Sequence, residues 1–368
     1  MKNLNIAFLP GLKRPIAPDT TISRNRIIVD LATDLVKRGH QVTIFGTKDS
    51  FLPGVSFHPV IPKGLSSLPP TENPFYTETA YITHAISELI RNQHQFDLIH
   101  NHMYPEFLPL LAACDMTVSM VTTVHAQITT ELSLALLDTV KHTTLVCISE
   151  SAKKKLNLPA AVVYNGIDTN LFSMDESTKK PYFLFVGRMS KAKSKGRFLD
   201  PKGACKAIYI AQKAQVTLKI VGNVEDRAFY DTLIAPHLSK TIEFVGEVSS
   251  EQKISRKEMV RLYQNARALL FPINWEEPFG LVMIEAMACG TPVIAFNRGS
   301  VSEIVQDGLT GFVVDPNKGV DGFVEVISRI SSIDRKTCRQ HVLAHFSKEK
   351  MGEEYEKIYR KSIQEKQV

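Results

Sequence analysis

Two glutamates eight residues apart, Glu277 and Glu285, flank a turn made of Pro278, Phe279 and Gly280. The apolar run that follows, from Leu281 and Val282 to Cys289, reads as a helix starting at Gly280 or Leu281. Gly290 stops it and Pro292 prevents continuation. At about 1.5 Å rise per residue, Glu285 lies roughly 7 Å along the axis from the first free amides. Those amides carry partial positive charge and form an anion site. A nucleoside diphosphate joined to a sugar has the matching layout. Its diphosphate can sit on the amides while ribose and sugar extend to either side, and a carboxylate at each end can accept hydrogen bonds from vicinal hydroxyls. A lone glutamate on a helix is more often plain surface; two around such a turn at a strand end favour a ligand.

Other chemistries of α/β proteins are absent from the sequence. No two glycines stand two apart, so there is no GxGxxG for a dinucleotide, and no glycine precedes a lysine, so there is no phosphate-binding Walker loop. Neither a GxSxG elbow nor HExxH occurs, and no two aspartates stand two apart to hold a metal.

The elements that must carry the glutamates follow an α/β grammar. Residues 5–9 read as a strand, Ile27, Ile28, Leu31, Leu35 and Val36 mark one helix face, Gly39 and His40 stop that helix, and residues 41–45 begin another strand. Strands recur at 98–100, 121–124 and 145–148. A polar, proline-ended stretch, residues 173–181, reads as a linker. The alternation then restarts: a strand at 182–186, a helix at 204–214, and strands at 217–221, 242–245, 268–272 and 292–296. Two consecutive βα arrays imply two doubly wound parallel sheets, an α/β architecture in which ligands bind outside the carboxyl ends of the strands. The expected domains are residues 1–172 and 182–347, with a charged amphipathic helix over 348–368 packing back on the first.

Composition agrees with an ordinary globular protein of two domains: 368 residues, 44% hydrophobic and 22% charged. No apolar run approaches the roughly 18 residues needed to span a bilayer. Five widely spaced cysteines (Cys114, Cys147, Cys205, Cys289, Cys338) without a CxxC suit reduced thiols of a cytoplasmic protein better than disulfides or zinc. The net charge of +6 suits an anionic ligand or an anionic membrane surface, so peripheral membrane contact stays open. No nucleic-acid-binding motif is present.

Residues 277–285 resemble the E-x7-E signature of the family 4 retaining glycosyltransferases of the GT-B fold (glycosyl transferases group 1). Arg298-Gly299-Ser300 with Glu303, Asp307-Gly308 through Gly311-Phe312, and Asn165-Gly166-Ile167-Asp168 resemble further segments of that family. The resemblance covers nearly the whole chain. It implies two Rossmann-like domains facing each other across a cleft, the first on the acceptor side and the second holding the nucleotide-sugar donor. It also implies transfer of a hexose to an acceptor hydroxyl with retention of anomeric configuration. The donor is a co-substrate, and neither cofactor nor metal is expected.

By the same resemblance Arg188 and Lys202 hold the diphosphate and His125 contacts the transferred sugar, so that the catalytic set is His125, Glu277, Arg188 and Lys202. The donor side comprises Gly187, Arg188, Lys202, Gly222, Val245, Glu277, Phe279, Gly280, Leu281, Val282 and Glu285. Two fixed cations would offset charge building on the leaving diphosphate. Lys195-Gly196 rivals Lys202-Gly203 for the lysine; an apolar helix directly after Lys202 favours the latter. Lys191, Lys193 and Arg197 read as a solvated face, and His100 and His102 as cleft lining.

Where many relatives have a Gly-Gly pair between the first strand and helix, this chain has Ile22-Ser23. Lys13, Arg14, Arg24 and Arg26 lie in or beside that loop and could meet an acidic acceptor, the donor or solvent. A sugar-nucleotide epimerase and a catalytically weak nucleotide-sugar-binding protein remain alternatives. The base, the sugar and the acceptor are not specified by the sequence.

Overall fold

A computed structural model describes residues 2–176, 182–189, 191–248 and 254–366. The chain divides into two compact units, one of residues 1–166 with 348–368 and the other of residues 167–347.

Seven parallel strands form the first unit's sheet: β1 (Asn5–Pro10), β2 (Gln41–Thr47), β3 (Ser56–Ile61), β4 (Leu98–His102), β5 (Ser119–Val124), β6 (Thr144–Cys147) and β7 (Ala161–Val162). Their order is β3-β2-β1-β4-β5-β6-β7. Every residue of β4 and β5 is buried, as expected of central parallel strands covered on both faces. The chain turns from β1 toward β2 on one side and continues from β4 on the other, so the switch point lies where Pro10 is in register with His102. Around the sheet run α1 (Ser23–Lys37), α2 (Pro74–Asn92), α3 (Thr130–Leu137) and α4 (Glu150–Leu156). The helix α1 buries Ile27, Ile28, Leu31 and Leu35 on the face that the 3.6-residue period marks.

The C-terminal helix (Lys348–Lys366) belongs to this unit. It lies so close to α1 that a Cβ on Gly352 would sit 2.0 Å from Asp34 Oδ2. Its polar side chains bond into the sheet. Tyr355 Oη is 2.8 Å from Thr123 Oγ1, Tyr359 Oη 2.6 Å from His100 Nδ1, and Ser119 Oγ donates to the Ser362 carbonyl at 2.9 Å.

The second unit carries β8 (Tyr182–Val186), a two-stranded hairpin of β9 (Lys193–Ser194) and β10 (Arg197–Phe198), then β11 (Thr217–Val221), β12 (Ile242–Gly246), β13 (Ala266–Phe271), β14 (Val293–Phe296) and β15 (Gly311–Val314). Its main sheet has six parallel strands in the order β12-β11-β8-β13-β14-β15. The helices are α5 (Ala204–Ala214), α6 (Arg227–Leu233), α7 (Arg256–Asn265), α8 (Leu281–Ala288), α9 (Val301–Ile304), α10 (Gly319–Ile327) and α11 (Arg335–His345). The order reverses between β8 and β13, so the loops after these two strands flank the switch point.

The division of the chain differs from the expected one. Residues 167–172 belong to the second unit rather than the first. Ile167 donates its amide to the Phe346 carbonyl, and the Arg339 guanidinium takes the carbonyls of Thr169 and Phe172. These bonds draw the segment onto α11 before the polar linker begins. Residues 177–181 of that linker lie outside the described residues. Among the described residues no helix is long and apolar enough to cross a membrane.

Candidate functional site

The second unit gathers its predicted residues at the switch point. β13 ends at Phe271, and the loop beyond it carries Trp275, Glu276 and Glu277 to the start of α8. Gly280 caps that helix with φ +87°, a left-handed conformation that a Cβ would strain, and no side chain caps the first turn. Leu281 and Val282 are half-buried while the rest of α8 is buried, so the helix presents its N-terminal end.

Glu277 is buried, and two donors share its Oε2: the Lys202 ammonium at 2.7 Å and the Trp275 indole N–H at 2.8 Å. Lys202 Nζ also stands 4.7 Å from the centroid of the Trp275 ring. Among the described residues, Glu277 Oε1 accepts no hydrogen bond. The backbone of Glu277 is gripped by the Arg298-Gly299-Ser300 segment. Ser300 N donates to the Glu277 carbonyl at 3.0 Å, and a Cβ on Gly299 would lie 2.2 Å from that oxygen. Glu276 completes the grip by accepting the Gly299 amide at 2.6 Å and pairing with Arg298. Phe279 is buried and its carbonyl accepts Ser300 Oγ at 2.8 Å.

Glu285 is not the plain surface glutamate that a lone carboxylate on a helix more often is. It is only 3% exposed, and Tyr263 from α7 donates its hydroxyl to Oε2 at 2.8 Å. Gly187 and Gly222 stand together at the ends of β8 and β11, where a Cβ on Gly222 would meet the Gly187 carbonyl at 1.8 Å. A Cβ on Gly187 would come within 3.0 Å of Lys202 Cβ, so the strand end and the lysine are neighbours. Val245 is a half-buried residue of β12. Arg188 is not drawn into the Lys202–Glu277 cluster; its guanidinium pairs with Glu225 at 3.3 Å and is half-exposed.

The segment that carries Lys193, Lys195 and Arg197 forms the β9–β10 hairpin. Lys195 (φ +49°) and Gly196 (φ +76°) are its two turn residues, the left-handed pair that a tight hairpin requires. Lys195 therefore sits exposed at a tip. Lys193 is tied to Asp226 at 3.4 Å and lies over the Phe198 ring, which meets Phe229 edge-on.

In the first unit, His125 follows β5 and its Nε2 lies 2.9 Å from His102 Nδ1. His100 and His102 do not line an open surface. Both are fully buried, and His100 is held by Tyr359 and by Thr123 Oγ1 at 2.8 Å. Burial drives all three histidines toward the neutral form: His100 and His125 fall well below the usual range and His102 to about 3, with Arg24 also repelling the charged forms of His102 and His125. Arg24 donates to Glu106 and to the Met103 carbonyl, both at 3.2 Å, with its guanidinium over Tyr104. Glu106 is raised by burial, against the pull of Arg24 and of the backbone amides of Ala126 and His125 that it accepts. Lys13 pairs with Glu78 at 3.2 Å. Ile22 caps α1 without a side-chain bond. Among the described residues, no three His, Cys, Asp or Glu are grouped to hold a metal ion.

Sequence reasoning gave no role to Trp275, Tyr263, Asp200 or Asn274. Trp275 could have been found by its place two residues before Glu277. Tyr263 has no local signal, because it reaches Glu285 from a separate helix.

The family model described as Glycosyl transferases group 1 matches residues 167–342, and that described as Glycosyltransferase Family 4 matches residues 25–171. The chain is 30% identical over 185 residues to an uncharacterized 41.2 kDa protein in the cps region of Klebsiella pneumoniae, covering 50% of this chain and 47% of that protein. It is 26% identical over 180 residues to the D-inositol 3-phosphate glycosyltransferase of Thermobifida fusca, covering 46% and 41%. The match thus spans less than half the length of either relative. Spore coat protein SA of Bacillus subtilis is matched over 98% of this chain and 100% of its own length, at 23% identity. Among solved structures, the fold is similar to sucrose-phosphate synthase from Thermosynechococcus elongatus (TM-score 0.74, 20% identity, 98% of this chain and 99% of that one). It is also similar to Anabaena HepE in complex with UDP and glucose (TM-score 0.70, 17% identity, 97% and 99%). Two parallel doubly wound sheets and two family models laid end to end lead to one conclusion: the chain belongs to the family 4, group 1 glycosyltransferases of the GT-B fold.

Proposed function

We propose that the protein transfers a hexose from a nucleoside diphosphate sugar to an acceptor hydroxyl with retention of configuration. The observation that carries this reading is the cluster of Lys202, Glu277 and Trp275 at the uncapped start of α8. The amides of Leu281 and Val282 would take the diphosphate, and the Lys202 ammonium would offset charge growing on the leaving oxygens, with Arg188 as the second cation. Glu277 Oε1 would accept a hydroxyl of the sugar. Glu285, steadied by Tyr263, would serve the ribose. On the first unit His125, held toward its neutral form by burial, is the candidate for a hydrogen bond to the transferred sugar. Because two side-chain cations do the neutralising, turnover should not require a divalent metal.

Support also comes from the relatives' names: one is a D-inositol 3-phosphate glycosyltransferase, and HepE is described with UDP and with UDP-glucose. A thermal-shift screen of UDP, GDP and ADP with their common hexose conjugates tests the reading. A ligand at 100 times its dissociation constant stabilises by about 2.7 kcal/mol, readily visible as a shift. The anomeric configuration of the product of the stabilising donor, read by NMR, tests retention. Failure of every nucleotide and nucleotide sugar to stabilise the protein would sink the proposal.

A further inference from the structure

Lys202 is rooted in a loop that is fixed on three sides by groups the reaction does not use. Asp200, two residues before it, accepts three successive amides at the start of α5. Gly203 N donates to Oδ1 at 2.9 Å, Ala204 N to Oδ1 at 3.0 Å and Cys205 N to Oδ2 at 2.8 Å. Those amides would otherwise be an anion site; the chain fills them from within. Asn274, one residue before Trp275, staples the other side. Its amide N–H donates to the Pro201 carbonyl at 2.9 Å, and its side-chain Nδ2 to the Asp200 carbonyl at 2.6 Å. The third constraint is close packing. Gly203 (φ +86°) lies so near the end of β13 that a Cβ would fall 2.1 Å from the Pro272 carbonyl oxygen.

A lysine stem of four carbons explores many rotamers. Fixing its backbone beside the loop that carries Trp275 and Glu277 confines the ammonium to the place where it meets both. We infer that Asp200 and Asn274 are positioning residues for the transfer proposed above, on which this inference rests. They touch neither donor nor acceptor, and act by holding Lys202 in register with Glu277. Asp200 has a second effect. With the α5 amides occupied by its carboxylate, a diphosphate at this switch point is left with the start of α8.

Trp275 is the chain's single tryptophan, so its fluorescence reads the cluster directly. The experiment compares wild type with Asp200→Ala, Asp200→Asn and Asn274→Ala. It measures Trp275 emission and acrylamide quenching without ligand, then kcat and KM with whichever of UDP-glucose, GDP-mannose or ADP-glucose the wild type consumes. Asp200→Ala should expose Trp275 to the quencher and lower kcat by about 10²-fold, the scale expected when a reacting group is displaced by about 1 Å. Donor KM should change much less. Asp200→Asn keeps an oxygen for the Gly203 and Ala204 amides and should restore most of the turnover. Asn274→Ala, which removes one side-chain bond and keeps the backbone bond, should fall between, and serves if Asp200→Ala fails to fold.

Turnover within twofold of wild type in Asp200→Ala and Asn274→Ala overturns the inference. So does lost turnover with Trp275 unchanged, because the effect would then not run through the Lys202 cluster. If the wild type consumes none of the three donors and no nucleotide or nucleotide sugar stabilises it, the functional reading fails instead, and the ligand-free Trp275 signal of the variants still decides whether the staple holds the cluster.

Discussion

The polar centres of the two units each hold a buried ion pair, and they differ in what surrounds it: neutral imidazoles in the first, an indole and an uncapped helix start in the second. In the first, His100 is bonded to Tyr359 of the C-terminal helix and to Thr123, His102 is bonded to His125, and the Arg24–Glu106 pair lies beside them. In the second, a lysine and a glutamate meet at 2.7 Å on loops between sheet and helix, with a tryptophan across them. The difference follows from what burial allows. Deep in the sheet a charge would cost more than hydrogen bonds return, so the histidines lose theirs. A paired charge is tolerated in both units, Arg24 beside Glu106 and Lys202 beside Glu277, each cation keeping 19% of its side-chain surface exposed. Under the function proposed above, the neutral imidazoles serve sugar hydroxyls and the Lys202–Glu277 pair serves the diphosphate, a division of labour that mutation can attack.

The largest effect should come from the two cations proposed to meet the diphosphate. Lys202→Ala and Arg188→Ala should each lower turnover by about 10²–10³, the scale of one lost electrostatic stabiliser. Lys195→Ala, at the hairpin tip, should change turnover by less than twofold. Steady-state kinetics decides it, and a crippling Lys195→Ala beside a silent Lys202→Ala would reverse the assignment of the clamp.

Acid should separate the two units next. Burial lowers four histidines of the first unit, His40, His100, His102 and His125, against one of the second, His341. Each takes a proton near pH 6.5 when unfolded and resists it when folded. The unfolded state therefore binds more protons below pH 6.5, so stability falls as pH drops from there toward the folded value, about 3 for His102. The slope approaches about 1.4 kcal/mol per pH unit for each histidine fully in that window. Glu106, raised by burial, acts the other way between its ordinary value and its raised one. Urea unfolding at pH 7 and pH 5 should show the first unit losing more stability. Trp275 emission follows the second unit alone and far-ultraviolet circular dichroism follows both. Equal losses by the two probes would contradict the contrast.

A smaller effect is expected at Tyr263. Tyr263→Phe leaves a buried Glu285 oxygen without its hydroxyl donor and should cost about 1–3 kcal/mol, with weaker nucleotide binding, measurable by urea denaturation and calorimetry. Unchanged stability and affinity would make the bond incidental. The smallest effect is none: excess EDTA should leave turnover intact, and a loss that magnesium or manganese restores would reject neutralisation by Lys202 and Arg188.

The parts of the fold that were legible are those where one physical signal dominates. The strand Tyr182–Val186, the helix Ala204–Ala214 and the strand Thr217–Val221 were read with the boundaries the structure has, because central parallel strands are unbroken apolar runs and α5 has a clear apolar face. Besides the two hairpin strands Lys193–Ser194 and Arg197–Phe198, three strands of the main sheets went unread: Ser56–Ile61, Ala161–Val162 and Gly311–Val314. All are edges of their sheets, where one side has no neighbour to bury it, and they contain Pro59, only two residues, or an opening glycine. The Glu277 turn was legible because its chemistry is local. The Tyr263–Glu285 bond, the grip of Gly299 on Glu277 and the burial of His100 depend on residues brought together from 22 positions or more apart, and no local pattern encodes them.

The C-terminal helix sets an order of events during synthesis. The first unit's sheet emerges from the ribosome early, yet the tyrosines that take His100 and Thr123 emerge only after the whole second unit. The second unit is continuous in the chain and can close on itself as it appears. The first must wait with a polar-lined flank uncovered, a state in which chaperones, proteases and self-association compete for it. A stop codon just before Lys348 would thus damage the unit that was translated first and leave nearly untouched the unit that was translated last.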